Sequence, residues 1–269
     1  MKIVALGNVG TYCDIAAKKY AAENHLDFDI VYAPSIVEMF KELKNCDLGV
    51  FPFENCLSGF VVDSLCGIVD NHCSIISQVQ LDVDFAFVSN ANDIKDVKNI
   101  YSQFKVYGQC QKFISENGFL TISTQSNTET LEKIGSAPQN FGAIIPMHLL
   151  EENKFHIVKK HVADNLQNKT RFFVVENQNT ANVDFPICSF VLEPNDIANF
   201  DIVDILQKIK LLDVNVFSVV SMPNKTRLMQ YKYFVECDLK NNAFEKLESI
   251  KDTIKNDCQI QVLGTYNKL

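Results

Sequence analysis

The stretch Lys2-Ile-Val-Ala-Leu-Gly-Asn-Val-Gly-Thr-Tyr12 decides the fold class of this chain. Lys2 to Leu6 is a short apolar run typical of a buried strand, and Gly7 and Gly10 mark a turn after it. The composition from Asp14 to Asn24 then favours a helix. The order strand, turn, helix predicts the first unit of an α/β sheet.

The same order repeats in the next segments. We predict strands at Asp27–Tyr32 and Leu48–Phe53, a helix at Ile36–Leu43, and a second helix in which Val61, Leu65 and Ile68/Val69 recur at helical spacing. Strands that alternate with helices favour a mostly parallel sheet.

The middle of the chain continues the pattern less regularly. Ile75 to Val88 predicts one long strand or two broken ones, because residues 80–87 alternate with period two. Further predicted elements are a strand ending at Ile100-Tyr101, a helix at Tyr107–Asn117, and strands at Phe141–Ile145 and Arg171–Val175.

A polar stretch, Glu176–Asn182, has the composition of a linker, and the pattern changes after it. We predict strands at Ser189–Leu192, Val214–Ser221, Tyr231–Cys237 and Gln259–Leu263, with helices at Ile197–Leu212 and Phe244–Ile254. This βαββαβ order is that of a ferredoxin-like unit of a size to fold alone.

Composition excludes several classes of protein. The chain has 269 residues and a net charge of −8, which argues against a broad nucleic-acid or anionic-membrane surface. Hydrophobic residues make up 47%, so disorder is not expected. We find no export signal and no run of about 18 apolar residues. Nine scattered cysteines without a CxxC pair predict reduced thiols in a cytoplasm, and the five histidines show no zinc-ligand spacing.

The glycine turn is the first candidate site. Backbone N–H groups of Gly10 and Thr11, between a strand and a helix, suit a carboxylate or phosphate. The alternative is a turn that merely needs glycine.

A Glu54-Asn55 pair follows the buried strand 48–53. It is therefore expected at the carboxyl edge of the sheet, where ligands bind in open α/β folds. Helix capping by Asn55 or Ser58 is the competing interpretation.

Thr170-Arg171-Phe172 enters the last strand before the linker. A threonine hydroxyl can donate to a leaving oxygen, and an arginine can hold a carboxylate. Adjacent strand residues point to opposite faces, so we expect Thr170 in the site and a mainly structural or electrostatic role for Arg171.

A last group of hydroxyls and one amide lies near the ends of elements in the second half of the large region. Its members are Ser102, Gln109, Ser123 and Thr124. Helix capping explains Ser123 equally well.

Taken in order, these segments and the βαββαβ tail resemble the prephenate dehydratase family of the bacterial monofunctional type with a C-terminal ACT domain. The resemblance implies an α/β fold in which a two-lobed, periplasmic-binding-protein-like catalytic domain occupies residues 1–180. The first lobe would span about 1–77 and 161–180, the second about 78–160, and an ACT-like domain would span 186–269. The implied reaction converts prephenate to phenylpyruvate without a metal or organic cofactor.

The resemblance also implies residue roles. Thr170 would donate to the leaving oxygen, with Glu54 supporting it or supplying the proton. Substrate binding would fall to Gly10, Thr11, Asn55, Ser102, Gln109, Ser123, Thr124, Arg171 and Phe172.

The tail departs from the family pattern. A Gly-Ala-Leu segment and a Glu-Ser-Arg-Pro segment form the family's phenylalanine site, whereas this chain has Phe200-Asp201-Ile202 and Val220-Ser221-Met222-Pro223. We therefore expect weak or no feedback by phenylalanine, and a domain that persists for assembly into a homodimer or homotetramer. The alternatives are a binding module, or a catalytically impaired homologue that acts as a small-molecule sensor.

Overall fold

A computed structural model describes residues 1–178, 185–197, 199–225 and 228–268. It contains three sheets. Within the described residues, no helix is long and apolar enough to cross a membrane.

The strands are β1 Lys2–Leu6, β2 Asp29–Ala33, β3 Leu48–Asn55, β4 Gly59–Phe60, β5 Ser74–Asp82, β6 Phe85–Ser89, β7 Asn99–Gln103, β8 Leu120–Thr124, β9 Phe141–Pro146, β10 Ile157–Lys160, β11 Lys169–Glu176, β12 Ile187–Pro194, β13 Asn215–Pro223, β14 Tyr231–Asp238 and β15 Cys258–Tyr266. The helices are α1 Tyr12–Glu23, α2 Ile36–Glu42, α3 Val62–Asp70, α4 Phe104–Tyr107, α5 Gln111–Asn117, α6 Asn127–Gly135, α7 Ile202–Leu211 and α8 Ala243–Ile254.

The first sheet has the strand order β2-β1-β3-β11-β5, and β4 pairs with β3. The β1 strand is parallel to β2 and β3, but β11 is antiparallel to both β3 and β5. The strands β2, β1, β3 and β5 thus run in one direction, which agrees with the prediction of a mostly parallel sheet. Strand β11 is the exception, because it returns from the second lobe and enters between β3 and β5 from the opposite end.

The second sheet, with order β10-β6-β9-β7-β8, is mixed as well. The chain crosses into it between Asp82, the end of β5, and Phe85, the start of β6. The boundary expected near Ser77 falls inside β5, because β5 pairs with β11 as far as Asp82. The chain returns to the first sheet between β10 and β11, and the Val83 N–H donates to the Asn168 carbonyl at 2.8 Å where the two crossings meet.

The third sheet is antiparallel, with order β13-β14-β12-β15, and its βαββαβ connections are those of a ferredoxin-like unit. One face packs on α7 and α8. The other face shares a hydrophobic core with the first sheet. At the closest point, a Cβ on Gly264 would lie 2.0 Å from the Ile75 carbonyl oxygen, so only glycine permits this approach.

Several boundaries differ from the predictions. The helix predicted at Tyr107–Asn117 is divided into α4 and α5, with Gly108 to Cys110 between them. Helix α7 begins at Ile202, because the Asp201 side chain caps it by accepting the Val203 N–H at 2.8 Å. Residues 179–184 of the linker region lie outside the described residues.

Candidate active site

The two lobes face each other through the ends of their strands. Gly10 follows the carboxyl end of β1, and His148 follows that of β9. His148 Nε2 lies 2.9 Å from the Gly10 carbonyl oxygen, and its ring meets Tyr12 edge-on with 4.8 Å between centroids. The carboxyl edges of the parallel strands thus border one cleft, the position where open α/β sheets bind ligands.

Thr170 and Asn55 are paired at this cleft. They lie directly opposite each other in the β3–β11 register, so both side chains point to the same face of the sheet. Asn55 Nδ2 donates to Thr170 Oγ1 at 3.0 Å. The strand pairing thus fixes a hydroxyl and an amide next to each other.

A third and a fourth side chain extend this pair into the second lobe. Asn55 Nδ2 also donates to Asn168 Oδ1 at 2.8 Å, and Asn168 Nδ2 donates to Gln109 Oε1 at 2.8 Å. Asn168 is 1% exposed, so these hydrogen bonds are shielded from water. Gln109, Asn168, Asn55 and Thr170 therefore form one continuous polar network between the lobes.

The orientation of the Asn55 amide is set by the turn that follows β3. Its Oδ1 accepts the backbone N–H groups of Leu57 at 3.0 Å and Ser58 at 3.1 Å. Because the oxygen is held by these donors, the NH₂ group must face Thr170 and Asn168.

The network leaves one donor available at Thr170. Its oxygen accepts from Asn55, and none of the described residues accepts the Thr170 hydroxyl proton in a hydrogen bond. A half-buried hydroxyl polarised by an amide donor is suited to donate to a developing negative charge on an oxygen.

Glu54 and Arg171, both expected in this site, lie on the other face of the sheet. Arg171 Nη2 lies 2.9 Å from Glu54 Oε2 and 2.7 Å from Glu236 Oε2 in the third sheet. The physical reason is strand alternation, since the neighbours Asn55 and Thr170 already face the cleft. These contacts do not place Glu54 or Arg171 against a substrate in the cleft, and they support the structural or electrostatic role that strand alternation predicts for Arg171.

Two further predicted site residues have structural roles. Phe172 is 1% exposed and packs in the core between α1 and the first sheet. Thr124 is buried, and its hydroxyl lies 2.6 Å from that of Thr130. Both side chains are enclosed by protein, so neither is placed to bind a substrate.

The turn at Gly10 and Thr11 lies at the cleft, but its amides are occupied. The Gly10 N–H donates to Asp14 Oδ2 at 2.9 Å, and the Thr11 N–H donates to the Asn8 carbonyl at 3.2 Å. Thr11 caps α1. Helix capping thus uses the donors that we expected to hold a carboxylate.

Ser102 and Ser123 lie opposite each other in register near the ends of β7 and β8. Ser102 is buried and donates to the Gln103 carbonyl at 3.3 Å, whereas Ser123 is exposed. Of the predicted residues, the network therefore brings together Asn55, Gln109 and Thr170.

Sequence reasoning assigned no site role to three contributors. Asn168 stands two residues before Thr170 and could have been found from strand alternation. Asp164 fixes Gln109 by accepting the N–H groups of Gln111 and Lys112 at 3.0 Å each while its own N–H donates to the Gln109 carbonyl at 2.8 Å. His148 could have been found only as a polar residue following the buried strand β9.

Comparisons with known proteins agree with this architecture. A profile described as "Prephenate dehydratase" matches residues 3–180. A prephenate dehydratase of Methanocaldococcus jannaschii is 28% identical over 166 residues, which cover 60% of each chain. The solved prephenate dehydratase of Staphylococcus aureus is 25% identical with a TM-score of 0.86, covering 99% of this chain and 100% of that one. The Arthrobacter aurescens enzyme, solved with L-Phe, has a TM-score of 0.79 at 16% identity, covering 100% and 90%.

The fold and the site thus define a two-lobed α/β cleft protein with a ferredoxin-like C-terminal sheet, which confirms the predicted fold class. The chain belongs to the prephenate dehydratase family.

Proposed function

We propose that the protein is an active prephenate dehydratase. The reaction combines prephenate and a proton to give phenylpyruvate, carbon dioxide and water. The C–C bond to the ring carboxylate breaks, its electron pair aromatises the ring, and the C–O bond to the ring hydroxyl breaks. The protein must therefore orient a dianion and assist the departure of hydroxide.

The observation that carries the proposal is the hydrogen bond from Asn55 Nδ2 to Thr170 Oγ1. In the proposed mechanism, the Thr170 hydroxyl keeps its proton and donates a hydrogen bond to the leaving oxygen, which departs as hydroxide and takes the consumed proton from solvent to become water. Asn55 donates to the Thr170 oxygen and so polarises its O–H bond, which strengthens the hydrogen bond to the developing negative charge. Neither side chain needs to change its protonation state for this stabilisation to operate.

The test is turnover of prephenate to phenylpyruvate at neutral pH, measured against a blank without protein. Thr170→Val preserves the shape and removes the hydroxyl, so we expect kcat to fall by about 10²–10³. Thr170→Ser preserves the hydroxyl and is expected to recover most of that loss. Thr253→Val in α8 is the control for removing a hydroxyl far from the cleft.

The alternative is a catalytically impaired homologue that binds a small molecule as a sensor. It predicts a folded wild-type protein that shows no turnover but binds prephenate in calorimetry. Turnover that Thr170→Val leaves unchanged would instead place the chemistry elsewhere.

We also propose that the C-terminal sheet is an ACT domain that joins two copies of the chain. Its edge strand β13 exposes the apolar side chains of Phe217 and Val219, and Val203 on the neighbouring helix α7 is exposed too. An apolar sheet edge of this kind favours pairing with a second copy. Phe217→Glu should convert a dimer to a monomer in light scattering coupled to gel filtration.

We propose that phenylalanine is not a strong inhibitor. Phe200 stacks on Tyr233 with 5.5 Å between ring centroids and packs on the core of this domain. A phenyl group thus stands where the family pattern has glycine. Added L-phenylalanine should change kcat/KM by less than about twofold, and strong inhibition would contradict this.

We place the protein in the cytoplasm, since all nine cysteines are free thiols.

A further inference from the structure

An ion cluster lies directly behind the candidate site. Arg171 donates through Nη1 to Glu236 Oε1 at 2.8 Å and through Nη2 to Glu236 Oε2 at 2.7 Å. This two-point geometry is the strongest form of an arginine–carboxylate contact. It joins β11, an inner strand of the first sheet, to β14, an inner strand of the third.

Glu236 is shielded from water, so its carboxylate can be paired only by protein groups. Its side chain is fully buried, and that of Arg171 is only 15% exposed. The Tyr266 hydroxyl donates to Glu236 Oε1 at 2.6 Å, and Arg171 also stacks 4.6 Å above the Phe53 ring. Burial raises the pKa of the Tyr266 hydroxyl well above its ordinary value, so this donor keeps its proton. The carboxylate therefore depends on Arg171 for compensation of its charge.

The cluster and the site share the same backbone. Arg171 directly follows Thr170 in the chain, and Glu54, the second carboxylate partner of Arg171, directly precedes Asn55. The β3–β11 register shifts immediately after Arg171, which pairs with Glu54 while Phe172 pairs with Pro52. A bulge of this kind bends the strand and changes the direction of the side chains beside it. Here Glu54 lies on the face of Arg171 and Asn55 on the face of Thr170, and the contacts made by Arg171 hold this arrangement.

We propose that Glu236 is a positioning residue for the dehydratase reaction, and that it acts through Arg171 to hold Thr170 and Asn55 in their reactive arrangement. The C-terminal sheet then sets the turnover rate through this contact, independently of any effector. The expected change in kcat rests on the proposed function, whereas the expected change in the structure of β3 and β11 does not.

The experiment uses the full-length protein and three variants. Glu236→Gln removes the charge at nearly constant shape, and Glu236→Asp restores the charge with a shorter side chain. Asp70→Asn is the matched control, because it breaks the exposed pair between Lys225 in the third sheet's β13–β14 loop and Asp70 in the first lobe. For each variant we would measure kcat and KM for prephenate, the melting temperature, and hydrogen exchange of peptides that cover β3 and β11.

We expect Glu236→Gln to lower kcat at least tenfold with KM within about twofold, and Glu236→Asp to recover part of the loss. Exchange should rise in peptides that cover residues 48–58 and 169–176, whereas Asp70→Asn should change neither kcat nor this exchange. A folded Glu236→Gln protein with wild-type kcat and a lower melting temperature would overturn the proposal in favour of a merely structural role.

Hydrogen exchange separates the two proposals. If the wild type shows no turnover, the proposed function fails, and unchanged exchange in Glu236→Gln would then also refute the positioning role.

If Glu236→Gln does not fold, Tyr266→Phe removes one hydrogen bond from the same carboxylate and leaves the ion pair. It should then lower kcat by a smaller factor at constant KM, and an unchanged kcat would refute the proposal.

Discussion

Asn55→Asp tests the network most directly, because it exchanges a single NH₂ group for an oxygen. The Oδ1 contacts with Leu57 and Ser58 can persist, so the turn after β3 is preserved. On the other side, an oxygen would face three acceptors, at 2.8 Å (Asn168 Oδ1), 3.0 Å (Thr170 Oγ1) and 3.2 Å (Lys169 carbonyl). The Thr170 hydroxyl would then turn to donate to the new carboxylate and would no longer be available to the substrate.

The magnitude follows from these losses. Withdrawing one donor from the transition state costs about 2.7–4 kcal/mol, which corresponds to a loss of about 10²–10³ in kcat. The hydrogen bonds to Asn168 Oδ1 and to the Lys169 carbonyl are also lost from the folded state, at a cost of about 1–3 kcal/mol of stability.

The assay is phenylpyruvate formation at saturating prephenate, with the melting temperature recorded in parallel. Asn71→Asp is a suitable control, because Asn71 Nδ2 donates to the Gly67 carbonyl at 2.9 Å at the exposed end of α3. An Asn55→Asp protein that retains kcat within about threefold of wild type would refute the reasoning.

Three further predictions concern other parts of the molecule. Gly264→Ala should lower the melting temperature, because its Cβ would lie 2.0 Å from the Ile75 carbonyl oxygen, whereas Gly135→Ala, with nothing within 4 Å, should not. Burial raises the pKa of Asp14, but hydrogen bonds from Lys18, the Gly10 amide and Tyr32 lower it by more, so it lies below the ordinary 3.8. The ionised Asp14 therefore stabilises the fold above about pH 4, and this stabilisation is lost on acidification. In urea titrations, the free energy of unfolding of Asp14→Asn should be lower than that of wild type at pH 7, and the difference should become smaller toward pH 3. Cys56→Ser should retain kcat within about twofold, and its inactivation would indicate thiol chemistry.

The elements that the sequence predicts well are those with a dense apolar run. Leu48–Phe53 and Phe141–Ile145 are buried strands in the structure, and burial of consecutive side chains on both faces produces that signal. Strand β8 was missed because Leu120 and Ile122 are exposed, which removes the contrast between its two faces. Helix α6 was missed because it is polar along most of its length.

Long-range pairing was the main source of error at the site. Strand alternation predicts that Thr170 and Arg171 face opposite sides, and their contacts do. Applied to Glu54 and Asn55, the same rule predicts that only one of them faces the cleft, but not which one, because the β3–β11 register skips Phe53 and so reverses the alternation. Which carboxylate receives Arg171 could not be predicted, because Glu236 is distant in sequence and becomes its neighbour only when the third sheet packs on the first.

The position of β11 in the first sheet has a consequence for the order in which the chain can fold. β11 lies between β3 and β5, yet the ribosome synthesises it after the whole second sheet. A nascent chain that has emerged only as far as residue 160 holds every strand of the second sheet, but the first sheet still lacks β11, which connects β5 to β3. The Thr170 hydroxyl is therefore added with β11, the strand that completes the first sheet. The candidate active site can form only when both lobes are complete.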